Sequence, residues 1–101
     1  MSGAPQPIHI EHEESDGRGG FFLERDDVRL AELTYSRAGE QLIIIDHTLV
    51  DEQLRGLGVA RRLLDAAVAW ARSTGTRVRA TCPYALREFE KDASIRDVFE
   101  G

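Results

Sequence analysis

Residues 53–60 read Gln-Leu-Arg-Gly-Leu-Gly-Val-Ala, and what flanks them decides the fold. Before them runs the apolar stretch Leu42-Ile43-Ile44-Ile45, continued through Val50; after them, Leu57 to Ser73 is amphipathic. The implied order is strand, glycine turn, helix. Two glycines at a helix start bring backbone amides together where the first four N–H groups lack intrahelical partners and the macrodipole is positive. Such a turn is an anion site, best suited to a phosphate. The same glycines also fit a turn in which they only supply permissive backbone angles, and the loop alone leaves both readings open.

What the loop lacks narrows the ligand. A Walker loop needs Lys and Ser/Thr after its second glycine, but Gly58 is followed by Val59, Ala60 and Arg61. A dinucleotide fingerprint needs a third glycine where Arg61 stands, and that long, charged side chain would block close helix–strand packing.

Moving outward, Ala60, Leu63, Leu64, Ala67, Val68 and Ala71 recur at the spacing of one helix face, and Gly75 follows as a terminating glycine. Trp70 reads as a packing residue at the margin of that face. Val78 to Cys82 reads as a short strand, parallel to Leu42–Val50 because a helix joins them. Pro83 suits the first turn of a second helix, Tyr84 to about Lys91. Residues 93–101 are compatible with a short helix. Upstream, Ile8 and Ile10 alternate with polar residues as in an edge strand, residues 15–20 form a turn, Phe21 starts a second strand ending at Asp26-Asp27, and Val28 to Tyr35 forms a third. Because Leu42 to Ile45 is apolar at every position, it is expected to be a central strand covered on both faces. Alternation would put Asp46 and His47 on opposite faces.

The chain of 101 residues reads as a flexible stretch, residues 1–6, and a single domain, 7–101. Its net charge of −5 argues against tight binding to a nucleic-acid backbone. Arg55, Arg61, Arg62 and Arg72 nonetheless gather near the turn and helix, suiting a small anionic cofactor, although Arg72 reads better as part of the solvated helix face. The longest apolar run, Ala66 to Ala71, is far shorter than the ~18 residues of a membrane span, and the N-terminus lacks a signal-peptide pattern, so the default location is cytoplasmic. One cysteine, Cys82, and three scattered histidines give no metal-binding pattern.

With Gln53, Gly56 and Gly58 as its fixed positions, the turn resembles the cofactor signature of the GNAT superfamily of acyl-CoA-dependent N-acyltransferases. His47-Thr48, Arg55-Gly56-x-Gly58, and Cys82 with Tyr84 look more narrowly like the small single-domain members. The resemblance covers roughly residues 7–92. It implies an α+β, sandwich-like fold: a mostly antiparallel sheet with one parallel β-α-β crossover and a second, C-terminal helix. It also implies acetyl-CoA as cofactor, with its pyrophosphate on the turn residues Gln53, Leu54, Arg55, Gly56, Leu57, Gly58, Val59 and Ala60. Pantetheine would lie on the backbone of Thr48, Leu49 and Val50, whose amides would also steady a developing oxyanion.

Two departures from the larger enzymes stand out. There is no room between Glu14 and Phe21 for a helix pair, and no segment matches the last two strands, which implies an open, shallow acceptor site. The tyrosine that many relatives use as general acid is replaced near its position by Phe89. Cys82 or Tyr84 is left as the candidate acid, Cys82 as a conceivable acyl-accepting nucleophile, and His47 as the candidate base for an ammonium acceptor. Each also fits a purely structural role. The leading reading is acetyl transfer to an amine, small molecule or protein lysine, by a monomer or weak homodimer with no nucleic-acid or membrane partner. A non-catalytic acyl-CoA-binding sensor or interaction module is the alternative, and an interaction domain without cofactor is the third.

Overall fold

The computed structural model describes residues 8–101; the expectation of a flexible stretch at 1–6 lies outside the described residues. Five strands form one sheet in chain order: β1 (Glu11–Ser15), β2 (Arg18–Arg25), β3 (Val28–Gly39), β4 (Leu42–Val50) and β5 (Arg77–Ala80). Neighbours are antiparallel except β4 and β5, which are parallel and joined by α1 (Val59–Thr74). Helix α2 (Pro83–Lys91) follows β5, and a 3-10 turn over Ala93–Val98 occupies the region compatible with a short helix. The fold is α+β, as the turn signature implied.

Two-residue loops make the first two hairpins. Asp16-Gly17 and Asp26-Asp27 all have positive φ, the geometry whose twist matches antiparallel strands and which Asp and Gly tolerate. Because Asp16-Gly17 alone makes the first turn, β2 begins at Arg18 rather than at Phe21. Gly19 lies inside the strand for a steric reason: a Cβ there would stand 2.5 Å from the Tyr35 ring. The first strand also starts later than alternation suggested. Ile8 and Ile10 pack against the core outside the ladder, and β1 pairs from Glu11.

The core occupies one face of the sheet. Leu33, Tyr35, Ile43, Ile45 and Val78 meet Leu63, Leu64, Ala67 and Val68 of α1 and Ala85 and Phe89 of α2 in a single apolar cluster. Burying each Leu or Phe side chain of this kind contributes about 1.5–3 kcal/mol. The expectation that Leu42–Ile45 is covered on both faces fails, because both helices pack on the same side. Ile43 and Ile45 are fully buried, whereas Ile44 is only half-buried on the open face. No helix is long and apolar enough to cross a membrane among the described residues.

Polar groups at the core margin are paired. The Tyr35 hydroxyl donates to Glu14 Oε1 at 2.8 Å and meets His12 Nε2 at 2.7 Å, while Arg37 Nε donates to Glu14 Oε2 at 2.7 Å. His12 stacks on Phe21 with ring centroids 4.1 Å apart. Burial holds the His12 imidazole below its ordinary value of 6.5, and the hydrogen bonds from Arg37 and Tyr35 hold the Glu14 carboxyl below its own.

Candidate functional site

The glycine turn forms at the end of β4, as the sequence predicted. Asp51 caps a short 3-10 turn, Glu52–Leu54, by accepting from the Gln53 amide at 3.0 Å and from Gln53 Nε2 at 3.2 Å. Leu54 anchors the turn by burial, and Gly56 and Gly58 follow with φ of +83° and +72°. Gly58 is the N-cap of α1 and no side chain caps that end. The first α1 amides therefore keep the free N–H groups that an anion needs. A Cβ added at either glycine would meet nothing within 4 Å, so the turn is open on its outer side. These donors, with Arg55 and Arg62 exposed nearby, fit a pyrophosphate.

Arg61, read from the sequence as near the cofactor, is engaged elsewhere, and so is Arg72. Arg61 donates to Asp65 at 2.8 Å and to Glu88 at 2.9 Å, and also reaches Asp92 at 2.5 Å, tying the start of α1 to α2. Arg72 donates to both carboxylate oxygens of Asp97. Glu88 is 6% exposed; burial pulls its carboxyl upward, but hydrogen bonds from Lys91 and Arg61 prevail and hold it below the usual range.

Beside the turn, β4 and β5 part company. Their pairing ends at Ile45–Ala80, and the amides of Thr81 and Cys82 both converge on the Ile45 carbonyl, at 2.9 and 3.2 Å. Strand β5 therefore stops at Ala80, and Cys82 is the N-cap of α2 rather than part of the strand. Beyond Ile45 the outer edge of β4 pairs with no strand among the described residues. There Thr48 Oγ1 touches Cys82 Sγ at 3.4 Å, and Cys82 is 4% exposed. Tyr84, the second residue of α2, packs at the core margin. Its phenol is pushed up to about 12, first by burial and then by the charge of Glu88.

His47 stands apart from this group. Ile45 pairs with Tyr35 but His47 pairs with Thr34, so Asp46 is an extra residue in β4, a bulge. The bulge overturns the alternation argument: Asp46 and His47 both lie on the open face, and Thr48, opposite Leu33, turns toward Cys82. His47 is exposed there, and no hydrogen bond joins it to Asp46, Cys82 or Tyr84 among the described residues. A hollow of about 290 Å³ opens beside the end of β4, bordered by Glu32, Leu49, Val50 and Asp51. Only the bulge, which has no sequence signal of its own, hides this division of faces from sequence reading.

A sheet splayed at one strand pair, with a glycine turn and an uncapped helix at the splay, defines a GCN5-type acetyltransferase fold. The profile of the GCN5-related N-acetyl-transferase family matches residues 20–98, and the chain belongs to that family. Among its relatives is Protein NATD1 of Bos taurus, 30% identical over 101 residues, covering 97% of this chain and 88% of the relative. The solution structure of a GCN5-like protein from Staphylococcus aureus superposes with a TM-score of 0.70 at 35% identity, covering 90% of this chain and 88% of that one. The ribosomal-protein-alanine N-acetyltransferase of Brucella melitensis shares the fold at 16% identity, with a TM-score of 0.62 over 77% of this chain and 64% of its own. Family membership supports acetyl transfer in general.

Proposed function

We propose that this chain transfers the acetyl group of acetyl-CoA directly to an amine. One observation carries the reading: β4 loses its β5 partner after Ile45 and then leads, through the glycine turn, into the uncapped start of α1. Free strand edge and free helix amides thus adjoin, one suited to an extended amide chain and the other to a pyrophosphate. In this reading Gln53 to Ala60 hold the phosphates, and Thr48, Leu49 and Val50 hold the pantetheine arm through their backbone.

Bound acetyl-CoA supplies the activated acetyl group; the chain supplies position and charge. Backbone amides of β4 are rigidly held by the β3 ladder, and a preorganised N–H aimed at a developing oxyanion contributes ~10²-fold or more. Tyr84 stays protonated through the neutral range, so it can hand a proton to a departing sulfur. Cys82 is the second candidate for that task, or an acyl-accepting nucleophile, being within 3.4 Å of Thr48 Oγ1. His47, on the open face, is the base that would take a proton from an ammonium group arriving on the side away from the helices. The hollow at the end of β4, bordered by Glu32 and Asp51 and by Arg29, which pairs with Glu32 at 3.5 Å, is a shallow, open approach of mixed charge, compatible with a small amine or a protein lysine. Acetyl-CoA and such amines meet in the cytoplasm, the location this reading implies.

A second reading is favoured by the separation of His47 from Cys82 and Tyr84: a module that binds acyl-CoA without turnover. Thiol release from acetyl-CoA, followed in the presence of a panel of amines and lysine peptides and matched to acetylated product by mass spectrometry, decides between them. Matched release upholds the enzyme. Saturable coenzyme A binding with no release leaves the module, and no binding at all removes both.

A further inference from the structure

The glycine turn divides its amides into two sets. Asp51 begins the division: its own N–H donates to the Leu30 carbonyl on β3 at 2.7 Å, so the residue is fixed to the sheet as β4 ends. From there Asp51 Oδ1 accepts both the Gln53 backbone amide, at 3.0 Å, and the Gln53 side-chain Nε2, at 3.2 Å. The Leu54 amide donates to the Asp51 carbonyl at 2.9 Å, the Arg55 amide to the Glu52 carbonyl at 3.1 Å and the Leu57 amide to the Leu54 carbonyl at 3.3 Å. Leu54, 3% exposed, is the second anchor. Within Gln53 to Ala60, the amides of Gly56, Gly58, Val59 and Ala60 are left without an acceptor among the described residues. An anion needs donors that are free and also held in place. The first set of amides spends itself holding the second.

We infer that Gln53 is a positioning residue for the phosphate turn, acting through the Asp51 carboxylate, and that its side chain is not itself a phosphate ligand. The side-chain amide already has an anionic acceptor, and leaving Asp51 for a phosphate would exchange one anion for another while loosening the turn. Both donors on Asp51 Oδ1 come from one residue, so they fix the backbone of Gln53 and the direction of its side chain together, a local alternative to helix or ladder bonding. With them is fixed the path of the chain from β4 to Gly56. Without that oxygen the turn visits other arrangements, and apparent affinity falls by the fraction of time the competent one is lost.

The lock needs no cofactor, whereas its effect on affinity rests on the coenzyme A reading proposed above, so the full chain is measured both ways. Without ligand, hydrogen exchange of the Gln53 and Leu54 amides should quicken about tenfold in Asp51→Ala and stay as in wild type in Asp51→Asn, whose side-chain oxygen accepts the same two donors. Coenzyme A binding, followed by calorimetry, should weaken about five- to tenfold in Asp51→Ala and about two- to fivefold in Gln53→Met. It should be no weaker than wild type in Asp51→Asn. The variant carrying both Asp51→Ala and Gln53→Met should bind no more weakly than Asp51→Ala alone, because the second change removes a donor whose acceptor has already gone.

Losses that multiply in the double variant would make Gln53 a ligand in its own right and overturn the inference. So would unchanged binding in Asp51→Ala, or a loss in Asp51→Asn as large as in Asp51→Ala, which would assign the effect to the charge of Asp51. Should Asp51→Ala not fold, Asp51→Gly, the milder change at a cap, takes its place throughout. Quickened exchange in Asp51→Ala from a wild type that binds no coenzyme A upholds the lock and refutes the coenzyme A reading alone. Unchanged exchange overturns the lock whatever the affinity.

Discussion

Placing a carboxylate at Gly58 tests the anion site with a magnitude the structure allows to be worked out. Gly58 has φ of +72° and open space where a Cβ would stand, so a side chain there incurs the left-handed backbone penalty but no clash. That penalty is about 1 kcal/mol, which lowers the unfolding midpoint of a domain this size by roughly 4–8 °C. Gly58→Ala isolates this cost. Gly58→Glu incurs the same cost, offset by up to ~1 kcal/mol because a negative charge suits a helix N-terminus. Without ligand the two variants should therefore be similar, with Glu the equal or more stable. With coenzyme A they should separate. At a hundredfold excess over Kd, ligand adds about 2.7 kcal/mol of stability, raising the wild-type midpoint by roughly 10–20 °C. Gly58→Ala should keep most of that rise, and Gly58→Glu, whose carboxylate confronts the phosphates, should lose it. Thermal unfolding of the three proteins with and without coenzyme A reads all of this. A full ligand shift in Gly58→Glu would refute the placement of phosphate at the α1 start, and no shift in wild type at millimolar ligand would remove coenzyme A from the proposal.

Three further outcomes are expected. Gly19→Ala should destabilise the fold by about 1–3 kcal/mol, because the new Cβ would stand 2.5 Å from the Tyr35 ring and 2.8 Å from the Glu13 carbonyl; an unchanged denaturation midpoint would show that β1 and Tyr35 yield freely. Arg61→Met should weaken the fold by about 1–3 kcal/mol in urea, since it leaves the buried Glu88 with Lys91 as its remaining cation; a loss under ~0.5 kcal/mol would count against the tie between α1 and α2. Stability should fall as pH drops below 6.5. His12 has a depressed value in the folded state, so the unfolded chain binds its proton first and the His12 contribution, complete above 6.5, declines as pH falls. Glu14 and Glu88, also depressed, add losses below about 4.5. His12→Gln should flatten the upper part of this profile and leave the lower part, as measured by urea midpoints across pH.

What the sequence by itself determined is everything local. The glycine turn, the spacing of Leu63, Leu64, Ala67 and Val68, the stop at Gly75, and the Asp-rich hairpin turns each depend on backbone preferences or on side chains three or four residues apart, so a short window contains the whole cause. That was enough for the parallel crossover and the place of the glycine turn and, through the resemblance of that turn, for the α+β class. The tertiary structure decided whatever depends on a distant partner. Gly19 belongs to a strand because Tyr35, paired across from it, needs the space. Arg61 faces carboxylates from α2 instead of a cofactor. Ile44 is left half-buried because both helices pack on the other face. Above all, the faces of His47 and Thr48 depend on the bulge at Asp46, which inserts one residue between two cross-strand pairs. Strand alternation has a period of two, so one inserted residue reverses every side chain beyond it, and nothing in residues 46–50 alone records that the insertion has been made.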